Sequence, residues 1–281
     1  MAQRIFQAGV MRLSGLEVRP SGPPKAIVLA LHGGGYLAGY WDYPGGSLLE
    51  LAARRGMLGL AIDRPGYGAA KDKPCNLSQQ AEIVLDLIEA LRRAEGGVPL
   101  LLAGHSMGGI LSLMIAANAR SSLIAAIDVC GVPLVFPDHM LQAFAARTVD
   151  PAWTHYPPAP AEHVRALFYG PDGTFEPEAL AYDAKVSAPV PVAEFPDAAT
   201  APRTLPQIMP RITLPVRYSM SEFEASSRVD EEVAALAREG LRGSRRAEVR
   251  IQPATGHNIS LHRVGGDFHR QMLDSFEAVI A

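Results

Sequence analysis

The stretch Pro99-Leu100-Leu101-Leu102-Ala103-Gly104-His105-Ser106-Met107-Gly108 decides the fold. Its first five residues form an unbroken apolar run, the mark of a strand buried on both faces of a parallel sheet. The residues from Gly109 to Ala119 are mostly small and apolar and predict a buried helix. Between the two lies Gly104-His105-Ser106-Met107-Gly108, a Gly-x-Ser-x-Gly pattern. In a strand–turn–helix setting this pattern makes a nucleophile elbow, a sharp turn that holds Ser106 in a strained backbone conformation. Glycines are needed at 104 and 108 because a Cβ there would strike the neighbouring strand or helix. Without such flanks the pattern is only a serine in a glycine-rich turn.

The flanking sequence repeats the same rhythm. Upstream, Ala26-Ile27-Val28-Leu29-Ala30-Leu31 and Met57-Leu58-Gly59-Leu60-Ala61-Ile62 are further buried strands, with a helix expected over Gly45 to Arg55. Leu77, Ala81, Val84, Ile88 and Leu91 share one face of an amphipathic helix whose other face carries Glu82, Asp86, Glu89 and Arg93. Asn76 followed by Gln79 is a capping-box signal at its start. Downstream, Leu123 to Val129 predicts one more strand. Strand and helix thus alternate from 26 to 130, which implies a mostly parallel sheet covered on both faces by helices with right-handed crossovers. Residues 5–18 alternate loosely and suggest an antiparallel hairpin at the beginning.

The texture changes after Val132. Fifteen of the 23 prolines fall between Val132 and Pro215, and the alternating rhythm disappears. The same window holds Leu141, Phe144, Trp153, Tyr156, Leu167, Phe168 and Tyr169, which a disordered spacer would lack. An inserted lid over 133–213 is therefore expected, with short helices near 138–147 and 160–169, between a first core part (1–132) and a second (214–281). The second part reads as a strand at 214–220, a helix carrying Val229, Val233, Leu236, Ala237 and Leu241, an edge-proximal strand at 247–251 and a final helix carrying Phe268, Met272, Phe276 and Ile280.

Composition narrows the function classes. With 48% apolar and 20% charged residues in 281, the chain can bury a sizeable core. A formal charge of −3, without any Lys/Arg run longer than two, offers no field for nucleic acid. Cys75 and Cys130 are expected as free thiols in a reducing compartment, and no His/Cys spacing resembles a metal site. The start lacks the apolar core of a signal peptide, and no apolar run has the ~18 residues a membrane span needs. A cytoplasmic protein without membrane association is the expectation.

Four landmarks in order give the chain its resemblance to the α/β-hydrolase superfamily, over essentially the whole length: His32-Gly33-Gly34-Gly35, Asp63-Arg64-Pro65-Gly66-Tyr67-Gly68, Gly104-His105-Ser106-Met107-Gly108 and Gly256-His257. The resemblance implies an α/β-hydrolase fold with the lid inserted after the strand at 123–129. It implies Ser106 as nucleophile and His257, on the loop after the last strand, as its base. Histidines 139, 155, 163, 262 and 269 compete in principle, while His32 and His105 are expected to shape the turns they sit in. The acid follows the strand at 214–220, where Ser221-Glu222-Phe223-Glu224 replaces the family's usual Gly and Asp. Glu224 falls at the Asp position, with Glu222, Asp128 and Asp138 as alternatives. A carboxylate there holds the imidazole tautomer and stabilises imidazolium.

The oxyanion requires hydrogen-bond donors, expected from the backbone N–H of Met107 and of Gly34 or Gly35. Tyr36, Tyr40 and Trp41, with Met140, Phe144 and Trp153 of the lid, are expected to line an acyl or aromatic pocket, or else to pack lid against core. The implied activity is hydrolysis of an ester, thioester or related acyl bond of a small molecule, with no metal or organic cofactor. Other chemistry on the same residues (acyl transfer, cyclisation, carbon–carbon hydrolysis, a lyase step) remains open, as do an acyl carrier protein partner and a non-catalytic binding module.

Overall fold

A computed structural model describes residues 2–146, 150 and 152–281. Two strands, β1 (Ala2–Ala8) and β2 (Met11–Val18), form the expected hairpin, and the alternation then runs β3 (Ala26–Leu31), α1 (Leu48–Arg54), β4 (Met57–Ile62), α2 (Leu77–Ala94), β5 (Leu100–His105), α3 (Met107–Ala116) and β6 (Ala126–Cys130). The chain closes with β9 (Val216–Ser221), α8 (Glu231–Gly240), β10 (Ala247–Gln252) and α9 (Gly265–Ile280). Between β6 and β9 lie α4 (Asp138–Ala146), β7 (His155–Tyr156), α5 (Ala161–Phe168), α6 (Pro177–Val186), β8 (Val190–Pro191) and α7 (Phe195–Ile208).

Eight strands form one sheet in the order β1-β2-β4-β3-β5-β6-β9-β10. The two strands of the hairpin are antiparallel to each other and β2 is antiparallel to β4, while the pairs from β4 to β10 are parallel. The unbroken apolar runs are explained by burial on both faces. Ile27, Leu29, Leu31, Leu58, Leu60, Leu100 and Leu102 point to one core, shared with α2, α3, α7 and α8. Their neighbours Ala26, Val28, Ala30, Met57, Ala61, Leu101 and Ala103 point to a second core, shared with α1 and α9. The capping box at Asn76 and Gln79 is formed.

The strand order places the site. From β3 the chain moves outward to β4, then returns to add β5 on the other side of β3. The carboxyl ends of β3 and β5 therefore flank the switch point, where open α/β sheets form their crevice. The glycine loop leaves β3 there and Ser106 leaves β5 there.

The segment between β6 and β9 holds more structure than its sequence suggests. Both α4 and α5 match the short helices expected, except that position 147 lies outside the described residues. The longer α6 and α7 were not anticipated, and α7 contains Pro202 and Pro206 in its interior. Each proline removes a backbone donor, which argues against a helix from sequence alone. Packing overrides that: Ala201 and Leu205 of α7 are fully buried in the core that also receives α3. No helix among the described residues is long and apolar enough to cross a membrane.

Candidate active site

Ser106 sits at the junction of β5 and α3 with φ 53° and ψ −120°. A non-glycine residue in that region carries strain, which the surroundings must impose. They do so by close packing. A Cβ on Gly104 would stand 2.5 Å from the Gly108 carbonyl oxygen, and one on Gly108 would stand 2.5 Å from the His32 carbonyl oxygen. The Ser106 amide donates to the Cys130 carbonyl at 2.8 Å, tying the turn to β6.

Ser106 opens onto a cavity of about 710 Å³, also bordered by Gly34, Gly35, Met107, His257 and Ser226. His257 Nδ1 lies 2.8 Å from Glu224 Oε2, with the two side chains 6% and 1% exposed. The other Glu224 oxygen accepts from the backbone N–H and the hydroxyl of Ser226, at 2.9 and 2.6 Å. Burial by itself pushes the Glu224 carboxyl up. His257 and the two Ser226 hydrogen bonds outweigh it and hold the group below the usual carboxylate range. Glu224 is therefore a carboxylate placed to accept from His257 Nδ1–H.

The alternative acids are engaged elsewhere. Glu222 is exposed and accepts from the Ala254 amide at 2.7 Å. Asp128 is buried in β6 and pairs with Arg217 at 2.5 Å. Asp138 begins α4 and is exposed.

The other histidines are likewise accounted for. His262 accepts the amides of Gly256 and Gly170 at 2.9 and 3.1 Å, and burial lowers it to about 4, so it is a neutral brace under the His257 loop. His269 is also lowered to about 4 by burial and bonds Ser260 and the Gly46 carbonyl. On the inserted segment, His139 bonds the Ala225 carbonyl, His155 bonds the Gly66 carbonyl, and His163 borders the cavity. Among the described residues, His257 is the histidine that pairs with a carboxylate. His105 donates from Nε2 to the His257 carbonyl at 3.1 Å and stacks on Tyr40. Burial, then the neighbouring His257, holds it well below the usual imidazole value, so it stays neutral.

The glycine loop is fixed from below. The Gly33 carbonyl accepts from His32 Nδ1 at 2.8 Å and from Arg64 Nη2 at 3.3 Å. Burial first and Arg64 second keep His32 neutral, so its Nε2 accepts the Arg64 amide at 3.0 Å. The Gly35 N–H donates to the Tyr67 hydroxyl at 3.2 Å. Met107 N–H, first in α3, has no acceptor within its helix. Gly34 packs so closely on Met107 that a Cβ would stand 2.6 Å from the Met107 sulfur.

The expected pocket residues divide. Met140, Phe144 and Trp153 border the cavity, and so does Tyr36, whose hydroxyl donates to Asp183 and accepts from Asn258. Tyr40 and Trp41 do not. Both are fully buried in the core shared with α1 and α9, because the short helix that carries them, Ala38–Asp42, turns its rings inward beneath the loop. Spacing along a loop does not say which side faces the core.

Several cavity residues were not foreseen: Phe136, Tyr156, Phe168, Phe195 and Ser226. Phe144 stands between Phe136 and Phe195, with ring centroids at 4.9 and 5.4 Å, and Phe168 lies 5.0 Å from the His257 ring. The sequence carries one faint signal, a serine two residues after Glu224 that is able to bond back to it.

Comparison with known proteins bears on the family and the fold. The family model described as the Alpha/beta hydrolase family matches residues 27–267. Rat (Rattus norvegicus) monoglyceride lipase is 30% identical over 137 residues, covering 47% of this chain and 44% of the relative. The human (Homo sapiens) monoglyceride lipase is 26% identical over 123 residues, 43% of this chain and 39% of the relative. The chain thus spans less than half the length of these curated relatives. Among solved structures, a monoacylglycerol lipase of Paleococcus ferrophilus superposes with a TM-score of 0.73 at 20% identity, over 96% of this chain and 99% of that one. A thermostable carboxyl esterase of Bacillus coagulans gives a TM-score of 0.76 at 14% identity, over 100% and 99%. With the family model spanning the sheet from β3 to the start of α9, the chain belongs to the alpha/beta-hydrolase family.

Proposed function

We propose that the protein is a carboxylic ester hydrolase using Ser106, His257 and Glu224. The observation that carries this reading is the strained Ser106 opening on the same apolar cavity as His257, whose other nitrogen meets the buried Glu224 carboxylate at 2.8 Å. A serine hydroxyl needs a neighbouring base to become a nucleophile, and an imidazole with Nδ1–H held by a carboxylate presents Nε2 as that base.

In the proposed reaction, Ser106 Oγ attacks the ester carbonyl carbon and its proton passes to His257 Nε2. Charge develops on the carbonyl oxygen, which accepts from the Met107 and Gly34 amides. Gly34 is preferred to Gly35 because the Gly35 amide is already given to Tyr67. Collapse expels the alcohol, which takes the proton from His257. Water then attacks the acyl-enzyme by the same steps and releases the acid.

The cavity favours an uncharged substrate. Among the described residues that border it there is no Asp, Glu, Lys or Arg, and its walls are chiefly aromatic, methionine and proline side chains. A charged acyl or alcohol group would lose hydration there without gaining a partner. Small to medium neutral esters fit, monoglyceride-like esters among them, as the names of the relatives suggest. The same wall disfavours a thioester delivered on a charged carrier arm. We also propose that residues 133–213 form the lid: α7 is anchored in the core, while the more exposed α4 borders the cavity through Met140 and Phe144.

Two measurements test this. A fluorophosphonate probe should label the wild type and not Ser106→Ala, and neutral p-nitrophenyl esters graded by acyl length should be turned over in preference to acyl-CoA thioesters. Folded protein that takes no label would refute the hydrolase reading.

A further inference from the structure

We propose that Glu194, carried by the segment between β6 and β9, is a positioning residue for the oxyanion-binding amide of Gly34, acting through Arg64 and Tyr67. The proposal rests on the hydrolase reading above for its effect on turnover, and on geometry alone for its effect on the loop. Glu194 and Arg64 are both fully buried and paired at 2.7 Å. Glu194 also accepts from Gln80 at 2.6 Å and from the Tyr67 hydroxyl at 3.0 Å. Its two oxygens thus hold three partners from the core, although Glu194 itself belongs to the inserted segment.

What these partners do is specific. Arg64 Nε donates to the His32 carbonyl at 2.8 Å and Arg64 Nη2 to the Gly33 carbonyl at 3.3 Å. The peptide between Gly33 and Gly34 is trans, so its carbonyl and its N–H point in opposite directions. Holding the Gly33 carbonyl on the Arg64 side therefore aims the Gly34 N–H away from Arg64, and Gly34 borders the cavity together with Met107. Tyr67 takes the next amide, that of Gly35, at 3.2 Å, so the following peptide plane is pinned as well. Glycines at 33, 34 and 35 give the loop the freedom to rotate these planes, and the buried network removes it. A donor held in advance where charge develops avoids reorganisation during the reaction. Arg64 in turn has one anionic partner among the described residues, and that partner is Glu194. Placement of the inserted segment and preparation of the oxyanion site are thereby coupled.

The test compares full-length wild type with Glu194→Gln. A glutamine cannot accept at both positions: its NH2 faces Arg64 Nη1 and Gln80 if it replaces Oε1, or Arg64 Nη2 and Tyr67 if it replaces Oε2, and either meeting of donors pushes the guanidinium off the Gly33 carbonyl. The expected result is a kcat about 10–100-fold lower with KM within about twofold, since misplacing one oxyanion donor acts on the transition state rather than on substrate binding. Inhibition by a boronic acid that adds to Ser106 should weaken in parallel, while a neutral ketone analogue that does not add to the serine should bind as before. Hydrogen exchange over residues 32–37 should accelerate. The control is Asp128→Asn, which breaks another buried pair, with Arg217, away from the cavity. Equal losses of kcat in both variants would overturn the proposal, as would a folded Glu194→Gln with wild-type kcat or with a change in KM alone. Should Glu194→Gln fail to fold, Tyr67→Phe keeps the ring and removes one hydroxyl from the same network. An unchanged kcat and unchanged exchange over 32–37 in that variant would refute the proposal, and a 3–10-fold lower kcat with faster exchange would support it. Wild type that neither labels nor turns over esters, with exchange over 32–37 still rising in the variants, would sink the hydrolase reading and leave the positioning of the loop standing.

Discussion

Replacing Glu224 by glutamine tests the site most sharply, because Glu224 is an acceptor at both ends. Oε2 meets His257 Nδ1 at 2.8 Å, and Oε1 receives the Ser226 N–H and hydroxyl at 2.9 and 2.6 Å. A glutamine has one acceptor end. If its oxygen faces Ser226, its NH2 faces His257 Nδ1, which must then be unprotonated, and the proton moves to Nε2, where it blocks the base. If its oxygen faces His257, its NH2 opposes the Ser226 N–H, two donors in a buried space, at a cost of about 1–3 kcal/mol. The first arrangement avoids that clash and is the expected one. The wrong tautomer lowers kcat by roughly 10³–10⁴-fold, or about 4–5 kcal/mol. The assay is steady-state hydrolysis of a neutral p-nitrophenyl ester between pH 5 and 9, alongside Glu222→Gln. Among the described residues, exposed Glu222 bonds a loop amide through its side chain, so its variant should stay within about twofold of wild type. Glu224→Gln retaining more than a tenth of wild-type kcat, or Glu222→Gln losing as much, would refute the reasoning. The same pair predicts acid sensitivity. The folded Glu224 lies below the value of about 4.3 expected in the unfolded chain, so its stabilisation is present above that pH and fades as pH falls through the depressed value. Acid unfolding followed by far-UV circular dichroism should therefore be less steep below about pH 4.3 for Glu224→Gln than for wild type.

Three further outcomes follow from the same site. Ser106→Gly removes the nucleophile and also relieves the strain at φ 53°; the net gain of about 1–2 kcal/mol, after glycine's entropy cost, should raise Tm by roughly 2–6 °C in a calorimetric scan while activity is lost. Ser226→Ala leaves Glu224 its backbone partner but frees one oxygen from a 2.6 Å contact, and steady-state kinetics should give a kcat about 3–10-fold lower at unchanged KM. Phe144→Ala opens the aromatic wall between Phe136 and Phe195, and kcat/KM for long acyl esters should fall about 5–50-fold relative to an acetyl ester, a loss of about 1–2 kcal/mol of apolar contact read from an acyl-length series.

The sequence by itself determined the sheet and the elbow. Runs such as Ala26 to Leu31 and Leu100 to Ala103 leave no polar face for solvent, so they had to lie inside a parallel sheet, and Gly104 and Gly108 could pack against Ser112 and Leu31 only if the turn between them was tight. These are local constraints, written within a few neighbouring residues. What lay beyond local pattern was decided by tertiary contact. Glu222 and Glu224 are two residues apart in one loop, and which of them meets His257 depends on how a loop after β9 approaches a loop after β10. For Tyr40 and Trp41 the sequence left open pocket lining or packing of lid against core, and the short helix that carries them turned both into the core beneath the loop. In α7, Pro202 and Pro206 hid a helix that exists because Ala201 and Leu205 bury against the core. The partnership of Arg64 with Glu194 joins positions 130 residues apart. Backbone propensity and hydrophobic period act over a turn or a strand, whereas a buried charge finds its partner only after the chain has folded, and the site is built from such partners.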